Sequence, residues 1–187
     1  ANMVLMMLSA LALGTVGAEP TNTPPAGFRS LFNGKDLTGW YGLNPHNVVK
    51  LKDDKLKAAL AKQRAEFSHF WKVESGDLVN GGEGPYATTD EEFGDIELLI
   101  DYKTVAKADS GIYLRGIYEI QVFDSFGKPL DSHNMGALYS RITPSVAAEK
   151  PAGEWQTLDL TLVDRHVTVV LNGKTIIDNQ PAAGCTG

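Results

Sequence analysis

The chain carries a single cysteine, Cys185, so no internal disulfide can form. No Cys/His pair has zinc-ligand spacing. The four histidines, His46, His69, His133 and His166, are far apart in sequence, so spacing alone defines no metal site. Cationic residues are in the minority, 17 Lys and Arg against 23 Asp and Glu, and they are scattered. The basic stripe of a nucleic-acid binder is therefore missing, and a net charge of −6 disfavours an anionic partner. No apolar run reaches the roughly 20 residues that span a bilayer. Internal repeats and low-complexity tracts are absent too.

What is present suits one globular domain. The chain has 187 residues, 43% of them hydrophobic, enough for a sizeable core. The apolar run from Met3 to Gly17 fits the h-region of a secretory signal, with Val16-Gly17-Ala18 as an A-x-A-like cleavage site. No Lys or Arg precedes it, and the rival reading is a buried N-terminal helix. Residues 1–18 are thus expected to be a signal peptide that packs against nothing, and the protein to be secreted or periplasmic. After its removal no membrane span remains. Residues 19–27 read as a Pro-rich linker, and a single domain as starting at Phe28.

Within that domain, residues 53–67 (DDKLKAALAKQRAEF) predict the one helix, capped by Asp53 or Asp54 and carrying a weak stripe of Leu56, Leu60 and Phe67. The rest alternates with period two. WKVESGDLV (71–79) predicts a hairpin turning at Ser75-Gly76. DIELLIDYKTV (95–105) places Ile96, Leu98, Ile100 and Tyr102 on one face. WQTLDLTLV (155–163) points Leu158, Leu160 and Leu162 inward. HVTVVLNGKTIID (166–178) turns at Asn172-Gly173, the strongest short hairpin signal in the chain. Short strands at this spacing predict an all-β fold, an antiparallel jelly-roll sandwich with one inserted helix.

Residues 109–124 (DSGIYLRGIYEIQVFD) are the most informative stretch for function. They read as two strands around a Gly-containing break. A two-residue loop at Gly116-Ile117 sets Glu119 against Leu114 and Gln121 against Ile112, mixing polar and apolar on both faces. A three-residue loop at Gly116-Ile117-Tyr118 sets Arg115 against Glu119 and Tyr113 against Gln121. Ile112, Leu114, Ile120 and Val122 then share the other face. A buried face fixes register, so the second is adopted here. The polar face then offers a cation, a carboxylate, an amide and aromatic rings, which suits a polyhydroxylated ligand. The plainer reading is a solvated face with a cross-strand ion pair worth a few tenths of a kcal/mol.

Six stretches in order, SLFNGKDLTGW (30–40), WKVESGDLVNGGEGPYATTDEEFGDIEL (71–98), DSGIYLRG (109–116), YEIQVFDS (118–125), GALYSRITPS (136–145) and PAGEW (151–155), resemble the 3-keto-disaccharide hydrolase domain family. The resemblance covers about residues 28–178. It implies a concanavalin A-like, laminin-G-like jelly roll, usually exported, in bacteria that process oxidised sugars. Family members usually continue with one or two further strands, so the chain ending at Gly187 is expected to be truncated. The implied substrate is a glycoside whose C3 hydroxyl has become a ketone. That ketone acidifies the C2–H, so a base can form an enolate that expels the C1 aglycone before water adds back.

The family's LRG and YExQxxD patterns fall on Arg115, Glu119, Gln121 and Asp124. Glu119 is the candidate base, Arg115 the anchor of the enolate oxygen, Gln121 a contact to sugar hydroxyls, and Asp124 the acid or a metal ligand. No cofactor follows firmly; a divalent metal is compatible. Tyr113 shares the face. Tyr86, in GGEGPY, suits stacking on a sugar or anchoring its loop. Asp109 suits the site or a turn, and His133 is a mobile acid/base or a plain loop residue. Trp40, Trp71 and Trp155 read as core. The partner is a sugar or glycoside. Two rivals stand beside this reading: a non-catalytic lectin-like binding domain on the same fold, and an ordinary glycosidase. The glycosidase needs two flanking carboxylates, and Gln121 occupies the place where the second would alternate.

Overall fold

The computed structural model describes residues 3–6 and 23–182, with side chains described from residue 23. The fold is all-β, and every strand pairing is antiparallel. In chain order the strands are β1 (Met3–Met6), β2 (Trp40–Leu43), β3 (Trp71–Glu74), β4 (Asp77–Asn80), β5 (Tyr86–Thr89) and β6 (Ile96–Thr104). They continue with β7 (Asp109–Leu114), β8 (Tyr118–Phe123), β9 (Trp155–Val163), β10 (His166–Leu171) and β11 (Lys174–Pro181). One large sheet runs β11-β10-β9-β6-β1-β4-β3; β2 pairs with β5, and β7 with β8.

Period-two alternation builds the layers. On β9, Leu158, Leu160 and Leu162 are fully buried, and so are Val167, Val169 and Leu171 on β10. Across the core, the β7–β8 hairpin turns Leu114, Ile120 and Val122 inward, with Ile112 partly buried beside them. Both expected two-residue hairpins form. Ser75 and Gly76 join β3 to β4, and Asn172 and Gly173 join β10 to β11, all four with positive φ as the tight primed turns require. Residues 136–139 run along the free edge of β8. Gln121 N–H donates to Ala137 O, Gly136 N–H to Gln121 O and Tyr139 N–H to Glu119 O.

The helix α2 (Asp53–Phe70) extends three residues past the expected end, and a short α1 (Pro45–Val48) precedes it. Neither Asp caps α2. Lys52 occupies that position without a side-chain hydrogen bond. α2 is a surface excursion whose one buried residue is Phe67. It lies directly on β2: a Cβ on Gly42 would come within 2.5 Å of the Gln63 carbonyl. Among the described residues no helix is long and apolar enough to cross a membrane.

The expectation that residues 1–18 pack against nothing fails for Met3–Met6. This strand sits between β4 and β6, with Leu5 opposite both Leu78 and Tyr102. The cause is an open lane: two facing strand edges offer unpaired backbone groups, and an apolar segment satisfies them. Removal of residues 1–18 would expose both edges. Leu8 and Leu11 fall outside the described residues.

A buried polar cluster ties the 148–150 loop to the sheet. Gln156 is fully buried. Its Oε1 accepts from Lys150 N–H at 3.0 Å and Asn172 Nδ2 at 2.7 Å, and its Nε2 donates to Lys150 O at 2.8 Å. Gln156→Leu keeps the volume but strands these partners, each unmade buried bond costing about 1–3 kcal/mol. A net loss of about 3 kcal/mol is expected, which for this size lowers Tm by roughly 6–12 °C. Thermal unfolding followed by circular dichroism checks it; a shift under about 2 °C would show that the cluster contributes little.

Candidate active site

The β7–β8 hairpin sets the site. Its loop is Arg115-Gly116-Ile117, one residue earlier than expected, and Leu114 and Tyr118 form the closing pair. The physical reason is Tyr118, which is only 4% exposed and cannot serve in a loop. Because the pairing shifts by two, the faces are those expected, yet the opposite partners change. Tyr113 opposes Glu119, and Gly111 opposes Gln121.

Arg115 consequently leaves Glu119. It sits in the turn at φ 54, donates from Nε to Gly94 O at 3.0 Å and pairs with Asp95 at 2.5 Å. It lines the rim of the cleft without facing the carboxylate.

Glu119 instead lies between tyrosine and glycine. The Tyr113 hydroxyl donates a hydrogen bond to its carboxylate. The side chain leans across β7 over Gly111, where a Cβ would stand 2.3 Å from Glu119 Oε1. A glycine inside a strand often marks such a close approach. Burial pushes the Glu119 carboxyl above the usual glutamate range. The Tyr113 hydrogen bond opposes that shift, the Asp109 charge adds to it, and His46 pulls it down. Tyr113 is pushed well above the ordinary phenol range, first by burial and then by Glu119, so it remains a donor at neutral pH. Burial and then Glu119 raise Tyr86 also.

An aromatic wall surrounds the carboxylate. Tyr86 stacks on Tyr113 with ring centroids 5.8 Å apart and planes 15° apart. His46, on α1, meets Tyr86 edge-on at 6.3 Å. The cleft that Tyr86 and Tyr113 border has a volume of about 890 Å³ and also includes Trp40, Phe93 and Asp109.

The remaining expected residues divide. Asp109 shares the cleft and accepts from Gln121 Nε2 at 3.3 Å. Gln121 is 3% exposed, and its amide is placed to hold Asp109. Asp124 is not in the cleft: its carboxylate accepts the Lys107 N–H at 2.8 Å and closes the turn before β7. His133 is not among the cleft residues and meets the Tyr139 ring edge-on at 4.9 Å. Among the described residues no group of three or more His, Cys, Asp or Glu is arranged to hold a metal. Trp71 is buried, while Trp40 and Trp155 are half-buried.

Two contributors escaped the sequence reading. His46 arrives from a distant segment to meet Tyr86, and no local pattern marks it. Gly111 did carry a signal, as a glycine within an alternating strand.

Residues 27–186 match the family model of the 3-keto-alpha-glucoside-1,2-lyase-like domain. Among solved structures, two crystal structures of a "putative glycosyl hydrolase" from Parabacteroides distasonis ATCC 8503 are similar. One has 25% identity and a TM-score of 0.61 over 84% of this chain and 66% of that one. The other has 23% identity and a TM-score of 0.59 over 82% of this chain and 71% of that one. The chain therefore spans just under two thirds of the first structure's length. Among curated proteins none matches.

Proposed function

The chain belongs to the 3-keto-alpha-glucoside-1,2-lyase-like domain family, and from that premise we propose that this carbohydrate-active domain cleaves 3-keto-glycosides by elimination across C1–C2. Glu119 is the base that removes the C2 proton. Its raised pKa brings the carboxylate nearer the operating pH, where a general base is most effective. Tyr113 and Tyr86, held protonated, supply hydrogen bonds to the developing enolate oxygen or to the leaving oxygen. Loss of the C1 aglycone leaves a C1–C2 double bond, and water adds back to complete hydrolysis. The observation that carries this reading is one desolvated carboxylate, hydrogen-bonded to a tyrosine, inside an aromatic cleft of sugar size. The neighbours' printed name, a glycosyl hydrolase, supports the coarser part. Export of the domain belongs to the same proposal and rests on the composition of the apolar run at 3–17 alone, since the pairing of Met3–Met6 with β4 and β6 stands against its removal.

One observation favours a second reading. Asp109 shares the face and its charge adds to the upward shift of Glu119, so a carboxylate pair acting directly at C1 is a distinct route. The two diverge in D2O. Elimination and rehydration must place solvent hydrogen at C2; displacement at C1 need not. A 3-keto-glucoside should release its aglycone and gain deuterium at C2, while the unoxidised parent stays intact. Release without C2 label supports displacement, and binding without release supports the lectin-like reading. The rate should also fall on the acid side at a pH above that expected for an ordinary glutamate, because the base must be ionised. A kcat/KM profile flat down to the ordinary glutamate range would exclude Glu119.

A further inference from the structure

We propose that Asp131, His133 and Ser140 form a second catalytic centre, an acyl-transfer site that takes a carboxylic ester. The three residues lie in the 125–142 segment, outside the lining of the Glu119 cleft. Asp131 Oδ1 accepts from the His133 backbone N–H at 2.8 Å and stands 2.5 Å from His133 Nδ1. Those two bonds, the side-chain one first, hold the Asp131 carboxyl below the usual carboxylate range. On the other side of the ring, Nε2 stands 2.9 Å from Ser140 Oγ. With the Nδ1 proton committed to the carboxylate, Nε2 is left as the acceptor and the Ser140 hydroxyl as the donor. That is the arrangement by which a base activates a serine nucleophile.

The surroundings fix it in place. Ser140 holds a left-handed φ of 56, which a residue with a side chain seldom adopts, and strain of this kind gathers at functional sites. Its backbone N–H donates to Ser132 O at 3.0 Å, joining the two arms of the loop. Asn134, which is buried, donates to Pro129 O, and buried Ser125 accepts from Met135 N–H. The Tyr139 ring flanks the imidazole edge-on. The catalytic side chains themselves are exposed, so an ester reaches them.

The chemistry balances without any further reagent. Ser140 Oγ bonds to the acyl carbon while its proton passes to His133 Nε2. The tetrahedral adduct collapses, the ester C–O bond breaks, and His133 returns the proton to the departing alcohol. Water then attacks the acyl-Ser140, again through His133, releasing a carboxylic acid and the free serine. The Ser140 and Arg141 N–H groups already serve Ser132 O and Leu138 O. Neither of these two N–H groups is free to serve as an oxyanion donor, and such single donors are worth about 10²–10³-fold. Esters with good leaving groups are accordingly the substrates expected.

The test uses the full chain with a fluorophosphonate probe and with 4-nitrophenyl acetate. Peptide mass spectrometry should place the phosphonyl adduct on Ser140. Ester hydrolysis should be at least about tenfold faster than in Ser140→Gly, the expected cost of losing an activated nucleophile being larger still. Glycine suits the left-handed φ, so that variant keeps the fold, and an unchanged Tm confirms it. Asp131 is a positioning residue. Asp131→Asn should lower kcat for ester hydrolysis with little change in KM and an unchanged Tm, a split that a purely structural role would not produce. An adduct on another residue, no adduct at all, or equal hydrolysis by wild type and Ser140→Gly would overturn the proposal. None of these outcomes bears on the Glu119 cleft, whose own test is C2 labelling.

Discussion

Glu119→Gln should lower aglycone release from a 3-keto-glucoside by at least about 10²–10⁴-fold, the usual contribution of a positioned general base. Gln keeps the length of the side chain and still accepts the Tyr113 hydrogen bond. It cannot accept a C2 proton at neutral pH. The loss should fall on kcat more than on KM, because the interaction removed is one made in the transition state. Deuterium incorporation at C2 should fall in parallel with turnover. A variant with undiminished turnover would rule out Glu119 as the base.

The same variant carries a stability signature with a definite sign. The folded-state pKa of Glu119 is raised. Over the window from the ordinary glutamate range up to that raised value, the folded state binds more protons than the unfolded one. Folding stability contributed by this group therefore falls as pH rises through the window. Glu119→Gln removes the penalty, so at neutral pH the variant should be as stable as wild type or slightly more so. Lost activity with retained or increased Tm separates a catalytic role from a structural one.

The faces of the hairpin were legible because parity is all that burial demands. Ile112, Leu114, Ile120 and Val122 must point inward, and any pairing displaced by two residues keeps them there. The loop position was not legible for the same reason. Only the burial of Tyr118, a tertiary fact, decides that Arg115 belongs to the turn. Arg115 then finds Asp95, 20 residues away, a pairing no local pattern encodes. The turns at Ser75-Gly76 and Asn172-Gly173 could be read directly because their backbone conformations demand those residues. His46 could not, because it reaches the site through the packing of α1. Asp124 stands outside the cleft lining because a strand-end carboxylate beside a turn is claimed by the nearest backbone N–H.

Gly111→Ala should disable the site without touching a catalytic group. Gly111 lies in β7 with an ordinary extended backbone, so alanine is conformationally allowed there. Its Cβ, however, would stand 2.3 Å from Glu119 Oε1, 2.7 Å from Cγ and 2.9 Å from Cδ. No carboxylate can remain at that place. Glu119 would have to swing off β7, away from the Tyr113 hydroxyl and toward water. Small misplacements of a reacting group can cost about 10²-fold, and a loss of at least that order is expected here. Stability should hold or rise by a few tenths of a kcal/mol, since alanine costs less backbone entropy than glycine and the displaced carboxylate regains solvent. The acid limb of the rate profile should also move down toward an ordinary glutamate, because burial is what raises it. Finally, Gly111→Ala combined with Glu119→Gln should be little worse than Glu119→Gln alone, as two changes acting through one carboxylate are not additive. Full activity in Gly111→Ala, or losses that simply multiply in the double variant, would show that the base works from some other position than the one over Gly111.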